Sequence, residues 1–329
     1  MTQPATVLVT GATGFIGSHL VERLAAAGRR VRCLVRKRRS LPDLPPGSVE
    51  LVEGDLALGR GLVEACAGVA TVFHLAGTTK ARRTAEYYTG NVDATAAILR
   101  AALDARVERL VHVSSLAAAG PNPDGRPLDE DAPCHPLTHY GKSKLEGERL
   151  VRGSGMAARA VVVRPPVVYG PRDTDVLHLF QAARRGVMLS IGREERFFSL
   201  VYVKDLVEGL MAAAFHPAAA GRTYYLAQPE PLAWSAFFAA AAALFGRKPR
   251  RLAVPRTLAW AVGLAGEAWS LCASRPGIIS REKIREACCP YWTCDAGRAA
   301  RELGFIAATP LKEGMAETIA WYRQAGWLK

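Results

Sequence analysis

Short apolar runs rich in β-branched residues alternate with stretches of helical periodicity through the first half of the chain. Thr6 to Val9, Val31 to Val35, Val49 to Val52, Val69 to Leu75 and Leu110 to Val113 read as strands. Between them, His19 to Ala27 and an Ala-rich stretch from about Thr84 to Ala105 read as helices. The runs are continuously apolar rather than alternating, which predicts strands covered on both faces. Strand–helix alternation with right-handed crossovers then gives a doubly wound, parallel α/β sheet. The segment from Gly120 to Pro136, rich in Pro, Asp and Gly, is expected as a surface loop. A helix over about Thr138 to Arg152 and a strand over Ala160 to Val163 follow.

Beyond Arg164-Pro165-Pro166 the regular alternation ends, and prolines at 217, 229, 231, 249, 255 and 276 divide the chain into short pieces. The expected organisation is a dinucleotide-binding domain over 1–165, joined again by segments of about 200–227. A smaller, mainly helical substrate lobe takes up most of 166–329. No repeat or low-complexity linker separates the two.

Composition narrows the function classes. The chain has 329 residues, half of them hydrophobic, which suffices for a large core and excludes disordered, collagenous and coiled-coil classes. Its 43 Lys and Arg against 30 Asp and Glu give a net charge of +13. That charge is scattered, apart from Arg36-Lys37-Arg38-Arg39, and no zinc-finger spacing or RNP-type motif accompanies it, so no specific nucleic-acid partner is expected. Seven cysteines without a secretory pattern point to a reducing compartment, and a cytoplasmic protein is expected. No apolar run is long enough to span a bilayer. Leu258 to Ala273, interrupted by Glu267, reads by default as a buried core helix, with weak membrane-surface contact as the alternative. Cys288, Cys289 and Cys294 form no Cys-x-x-Cys pair. His74, His112 and His135 lack ligand spacing, so no metal is expected.

The first chemical signal is Gly11-Ala12-Thr13-Gly14-Phe15-Ile16-Gly17, which follows the first strand and opens the first helix. Gly11 permits the tight turn, Gly14 lets backbone approach a pyrophosphate, and Gly17 lets the helix pack closely. The helix N-terminus then offers free N–H groups to the phosphates. The second strand ends in Val35-Arg36-Lys37 with no acid before Asp43. An acid there would hold the ribose 2′-OH of NAD(H), whereas the Arg36 guanidinium suits a 2′-phosphate, so NADP(H) is favoured over NAD(H). Asp55, in Gly54-Asp55-Leu56 after the third strand, is either an acceptor for the adenine amino group or a loop-capping residue.

The second signal is Tyr140-Gly141-Lys142-Ser143-Lys144 at the start of a helix, with Tyr140 and Lys144 on one face. A nearby ammonium, together with the nicotinamide positive charge, is expected to lower the phenol pKa, letting Tyr140 exchange a proton with an alcohol or carbonyl. Ser114 and Ser115 close the fifth strand at the ligand edge of the sheet, and Ser115 is the candidate that fixes the substrate oxygen.

These features resemble an extended short-chain dehydrogenase/reductase, within the NAD(P)-dependent epimerase/dehydratase superfamily. The resemblance rests on Gly11-x-x-Gly14-x-x-Gly17, Gly54-Asp55-Leu56, His74-Leu75-Ala76-Gly77, Asn91-Val92, Val113-Ser114-Ser115 and Tyr140-x-x-x-Lys144. It continues through Arg164-Pro165-Pro166-Val167-Val168-Tyr169-Gly170-Pro171 and Val201-Tyr202-Val203-x-Asp205. It implies a Rossmann-type sheet and hydride transfer at the nicotinamide, with Ser115, Tyr140 and Lys144 as the catalytic set. It also implies that Leu75, Ala76, Gly77 and Asn91 lie along the cofactor, with Ser114, that Pro165 to Val168 lie near the nicotinamide amide, and that the chain forms a homodimer.

Three features choose among the branches. Ser115 is followed by Leu116-Ala117-Ala118, where dehydratases of the family carry an acidic pair. Nucleotide-sugar enzymes often carry an Arg seven residues before the Asp205 position; here that residue is Phe198, and Arg196 is two residues out of step. The basic Arg36 is similar to the 3β-hydroxysteroid dehydrogenase and dihydroflavonol reductase branch. The second lobe adds Trp234, Phe237, Phe238, Trp260 and Trp269. The expectation is therefore an NADP(H)-dependent oxidoreductase interconverting a ketone and a secondary alcohol on a mainly apolar or cyclic substrate. The alternatives are a nucleotide-sugar 4-epimerase with tightly bound NAD, and a non-catalytic dinucleotide-binding regulator.

Overall fold

A computed structural model describes residues 5–37, 49–272 and 280–328, with only the helical backbone of 268–272. The first half contains β1 (Thr6–Thr10), α1 (Phe15–Ala26), β2 (Arg30–Val35), β3 (Val49–Glu53), α2 (Leu62–Cys66) and β4 (Val69–His74). Next come α3 (Thr84–Tyr88), α4 (Ala94–Asp104), β5 (Arg109–Val113), α5 (Leu116–Ala119), α6 (His139–Gly153), β6 (Ala160–Arg164) and β7 (Val167–Tyr169). The second half adds α7 (Leu177–Arg184), β8 (Val187–Ile191), β9 (Phe197–Phe198), β10 (Leu200–Tyr202), α8 (Val203–Phe215), β11 (Thr223–Tyr225) and β12 (Leu232–Ala233). It ends with α9 (Trp234–Ala243), β13 (Arg250–Val254), α10 (Arg256–Cys272), α11 (Arg281–Cys288), β14 (Tyr291–Trp292), α12 (Gly297–Leu303) and α13 (Leu311–Gln324).

Among the described residues, seven strands form one sheet in the order β11-β6-β5-β4-β1-β2-β3, every pair parallel. The order reverses between β1 and β4, so the strand ends there open a crevice. Alternate strand residues feed two apolar layers, as the continuous runs predict. Val7, Val9, Val111 and Val161 pack with Leu20 and Leu24 of α1 and Leu206 and Leu210 of α8. Leu8, Val72, Leu110 and Val162 pack with Leu62 of α2 and Ile98 and Ala102 of α4. Each such fully buried Val or Leu contributes roughly 1.5–3 kcal/mol relative to exposure.

The long Ala-rich helix is interrupted. Residues Thr89–Asp93 form one π turn between α3 and α4. There the Asn91 amide donates to the Thr78 carbonyl (3.0 Å) and to Ser143 Oγ (2.9 Å), while its Oδ1 accepts from the Thr78 N–H (2.8 Å). A π turn is frequent at functional sites, and this one sets Asn91 between the Thr78 loop and α6.

The Gly120 to Pro136 segment is less of a surface loop than its composition predicts. Buried Asn122 bonds Thr293, and buried Glu130 accepts from the Tyr225 N–H (3.1 Å), so the C-terminal segment pins the loop onto the sheet edge. The second lobe has its own core, with Phe180 of α7, Phe198, Phe237 and Phe238 of α9, and Ile319 and Tyr322 of α13. Trp234 stacks on Phe237 within it, so these aromatics are core. The side chain of Trp269 lies outside the described residues.

The expectation of a buried helix near residues 258–273 is corrected by the structure. From Arg256 to Glu267, α10 buries only Ala259 and Gly263, and Leu258, Trp260, Val262 and Leu264 face outward. Hydrophobicity alone cannot tell a helix inside a core from one lying on a surface, which is why the sequence misleads here. Side chains beyond Glu267 and residue 273 lie outside the described residues. No helix among the described residues is long and apolar enough to cross a membrane.

Candidate active site

The glycine loop has the geometry that its spacing demands. Gly11 has φ +73°, and a Cβ there would come within 2.7 Å of the Ala76 nitrogen, so β1 and β4 approach too closely for a side chain. A Cβ on Gly17 would lie 2.1 Å from the Gly11 oxygen, which seats α1 against its own entry turn. Gly14 is exposed beside Thr13, and a Cβ there would meet only the Gly11 oxygen at 3.2 Å. The N-terminus of α1 carries no side-chain cap and no acid in its first turn. Uncapped N–H groups next to bare backbone fit the pyrophosphate of a dinucleotide. Phe15 and Ile16 are half-buried against the second lobe's core, tying the loop to that lobe.

Around this loop, Arg36 and Lys37 are exposed at the end of β2, while Arg38, Arg39 and Asp43 lie outside the described residues. Asp55 Oδ1 accepts from the Ala57 (2.9 Å) and Leu58 (3.3 Å) N–H groups, so this carboxylate caps its own turn. Leu56 packs on the lower apolar layer, and Leu75 on the upper one. Thr10 Oγ1 joins the ends of β1 and β4, accepting from the Ala76 N–H (3.2 Å) and bonding His74 Nδ1 (2.8 Å). Gly77 is exposed at the crevice, where a Cβ would lie 2.7 Å from Asn91 Oδ1 and 3.7 Å from Lys144 Nζ. Pro165 accepts from the Leu116 N–H (2.9 Å), and half-buried Val168 packs where the two cores meet.

The two serines after β5 have separated tasks. Ser114 Oγ points into the protein and donates to Glu148 Oε1 (2.6 Å). Ser115 caps α5 by accepting from the Ala117 N–H (3.1 Å), and it shares a hydrogen bond with the Tyr140 phenol. Thr138 caps α6, starting the helix two residues before that phenol. Lys144, one turn on, is buried and donates to the Val113 carbonyl (2.7 Å). Burial pulls its pKa down to about 8, with the Glu148 carboxylate opposing.

The protein's own groups do not lower the Tyr140 pKa. Burial raises its pKa above 10, and the Ser115 hydrogen bond only partly offsets this. The Lys144 ammonium is committed to the Val113 carbonyl, and the cation acting on the phenol is Lys283 of α11. Spacing on a helix predicts that Tyr140 and Lys144 share a face, but not where a flexible ammonium makes its bond.

Beneath this set lies a buried network that the sequence reading missed. Glu148, fully buried, receives Arg164 Nη2 (2.7 Å) and Nε (2.9 Å) as well as Ser114 and Arg152. Burial works against the Arg164 charge, and the Glu148 partner outweighs it, leaving the guanidinium firmly protonated. The signal was present: Tyr140, Lys144 and Glu148 recur every fourth residue along one helix face. His74 and His112, both buried, stack at 5.5 Å as packed strand residues. His74 Nε2 bonds Thr95, whereas neither ring nitrogen of His112 has a partner among the described residues. Burial depresses both, His74 to about 3, and Lys144 adds to the effect. The described residues contain no group of three or more His, Cys, Asp or Glu placed to hold a metal.

On the substrate side, Phe198 lies in the aromatic core against Trp234 and Phe237, where an Arg would grip a sugar diphosphate. The neighbouring Arg196 donates to the Ile191 carbonyl instead.

Comparison with known proteins places these features. A family model described as the NAD dependent epimerase/dehydratase family matches residues 7–227. A ceramide reductase of Caulobacter vibrioides is 34% identical over 322 residues, spanning 98% of this chain and 96% of the relative. A decarboxylating sterol-4-alpha-carboxylate 3-dehydrogenase of Bos taurus is 29% identical over 242 residues, 70% of this chain and 67% of the relative. Among solved structures, MoeE5 in complex with UDP-glucuronic acid and NAD is 31% identical. It superposes with a TM-score of 0.77, covering 98% of this chain and 100% of that one.

Proposed function

We propose that this chain, which belongs to the NAD-dependent epimerase/dehydratase family and is an NAD(P)-dependent enzyme of the extended short-chain dehydrogenase/reductase type, reduces a ketone on a mainly apolar substrate to a secondary alcohol. The carrying observation is the arrangement of Ser115 at the end of β5, Tyr140 in the first turn of α6 and buried Lys144 one turn on, beside the glycine loop of β1 and α1. A protonated phenol can give its proton to a carbonyl oxygen as hydride arrives at the carbon, and the reductive direction is supported by the ceramide reductase relative.

When bound, the reduced nicotinamide supplies a hydride to the carbonyl carbon. The α1 N-terminus and Gly14 receive the pyrophosphate, and Arg36 is the candidate contact for a 2′-phosphate, favouring NADP(H). Leu56 and Asp55 flank the adenosine end, and Asn91 holds the Thr78 loop beside the crevice. Ser115 donates its hydroxyl hydrogen to the ketone oxygen and keeps that oxygen within reach of Tyr140. Tyr140 transfers its proton to that oxygen, leaving the alcohol neutral. Lys144, a buried cation beside Gly77, disfavours escape of negative charge from the site and is positioned to hold ribose hydroxyls. Glu148 and Arg164 act through Ser114 and α6, fixing the helix that carries Tyr140. Ceramide and sterol relatives support an apolar substrate class. The sugar-nucleotide reading, favoured by the MoeE5 likeness, would need Arg193 or Arg196 as its diphosphate clamp, since Phe198 occupies the expected place in the aromatic core and Arg196 donates to the Ile191 carbonyl.

The test is NADPH oxidation against a panel of long-chain and cyclic ketones, run beside UDP-sugars. Tyr140→Phe is expected to abolish turnover while leaving NADPH binding intact, and Arg36→Ala to weaken NADPH without changing NADH affinity. Undiminished turnover by Tyr140→Phe, or interconversion of UDP-sugars without added cofactor, would end this reading.

A further inference from the structure

The outer surface of α10 is inverted relative to a water-facing helix. An amphipathic helix of a soluble protein turns its large apolar residues inward. Here the inward positions are Ala259 and Gly263, and Gly263 lies so near α11 that a Cβ would be 3.0 Å from Ile284 Cγ1. Leu258 is 54% exposed, Trp260 42% and Leu264 56%, with Val262 also exposed, and no charged residue falls between Arg256 and Glu267. Close packing through small residues holds the helix against the protein, and its large apolar side chains up to Glu267 lie on the outside.

A second exposed apolar pair lies on the two-stranded ladder of β8 and β13, the strand that runs directly into α10. Leu189 and Leu252 are partners in its register, and both are more than half exposed. The surroundings are strongly basic: Arg185, Arg193, Arg247, Lys248, Arg250 and Arg251 are exposed along the ladder and its turns. Against them stand Glu194, which is paired with Arg256 (2.6 Å), and Glu195. Arg193 and Arg251 line an open depression together with Leu252 and Ala253, setting guanidinium groups beside an apolar floor.

We infer that this face docks on a lipid bilayer bearing anionic headgroups, with Trp260 and the flanking leucines in the acyl boundary and the arginines among the phosphates. The combination of a large apolar face with a Lys/Arg rim is what such a surface recognises. A second copy of this chain fits less well, because a twofold contact would press two equally basic rims together. A polyanion such as nucleic acid would use the charge but leave the leucines and Trp260 without a partner. The docking face also leads to the catalytic crevice. α10 packs on α11, whose Glu286 accepts from Thr138 Oγ1 (3.2 Å) and whose Glu282 accepts from the His139 N–H (3.1 Å), next to Tyr140. Delivery of an apolar ketone from the bilayer to Tyr140 rests on the reductase reading, whereas the docking itself does not.

The full chain is to be floated with vesicles of phosphatidylcholine, with and without phosphatidylglycerol, at low and high salt. Binding is expected to the anionic vesicles and to weaken as salt screens the charges. Trp260→Glu with Leu264→Glu should abolish it. Neutralising Arg247, Lys248 and Arg250 to Gln should weaken it by about a hundredfold, at roughly fivefold per charge. Unchanged melting temperatures and unchanged turnover of a short, water-soluble ketone show that these variants remain folded. Binding to neither vesicle, equal binding by wild type and variants, or a concentration-dependent dimer dissolved by the same substitutions would overturn the inference. Flotation that persists in a protein reducing no ketone overturns the reductase reading alone.

Discussion

The stacked histidines beneath the crevice make folding stability depend on pH in a defined direction. His74 in the folded protein has its pKa depressed by burial, with Lys144 adding to the effect, from 6.5 to about 3. The unfolded chain binds a proton through 6.5 that the folded chain refuses until far lower pH. Stability is therefore full above about pH 6.5 and falls as pH drops towards 3. At about pH 5 the unfolded imidazole is nearly all protonated and the folded one nearly all neutral. One and a half pH units at about 1.36 kcal/mol each give about 2 kcal/mol lost relative to neutral pH. The raw pH profile is not the right assay, because Asp173 acts with the opposite sign. Burial pushes its carboxyl up to about 6, so it takes up a proton on folding and adds stability as the pH falls. The difference between wild type and His74→Gln cancels that contribution. Urea unfolding of both proteins at several pH values should show wild type losing about 2 kcal/mol more than the variant between about pH 7 and pH 5. Parallel curves would mean that His74 is hydrated or protonated in the native state, and that this account of the buried pair is wrong.

Two further outcomes follow from the packing. Glu148→Ala leaves the Arg164 guanidinium buried without its carboxylate and should cost about 3–5 kcal/mol in denaturant unfolding, whereas the apolar double replacement Glu148→Leu with Arg164→Met should recover most of it; equal losses in the single and double variants would refute a buried ion-pair origin. Gly17→Ala drives a Cβ to within 2.1 Å of the Gly11 oxygen and should destabilise by at least about 1–3 kcal/mol and weaken dinucleotide binding, while Gly28→Ala, at φ +72° with open space around it, should cost about 1 kcal/mol and leave binding unchanged. Titration of nucleotide fluorescence with both variants distinguishes the two.

The sheet and the glycine loop were legible in the sequence because each rests on local rules. Continuous Val- and Leu-rich runs mean strands buried on both faces, and Gly11, Gly14 and Gly17 have separate steric reasons at fixed spacing. The placement of the candidate residues was legible for the same reason: Thr138 caps a helix that carries Tyr140 and Lys144 on one face, and Ser115 follows a strand. What escaped was non-local. The Asn91 side chain on the π turn bonds Thr78 and Ser143, contacts that no helical periodicity encodes. The Glu148–Arg164 pair joins α6 to β6, and the pKa of Tyr140 depends on burial and on α11, more than a hundred residues away. For α10, the apolar composition was read correctly and its orientation was not, because the small residues Ala259 and Gly263 decide which side faces the protein.

The place of β11 at the edge of the main sheet bears on how the chain is made. This strand pairs with β6 through Thr223–Tyr225, although some sixty residues separate the two in sequence. A ribosome that has released only the first 165 residues has therefore exposed β6 with a bare edge, and with Arg164 still lacking its Tyr225 contact. The dinucleotide half cannot mature as an independent unit during translation. It stays open to chaperones, or to mispairing with another nascent strand, until the ribosome has passed residue 225 by the length of its exit tunnel.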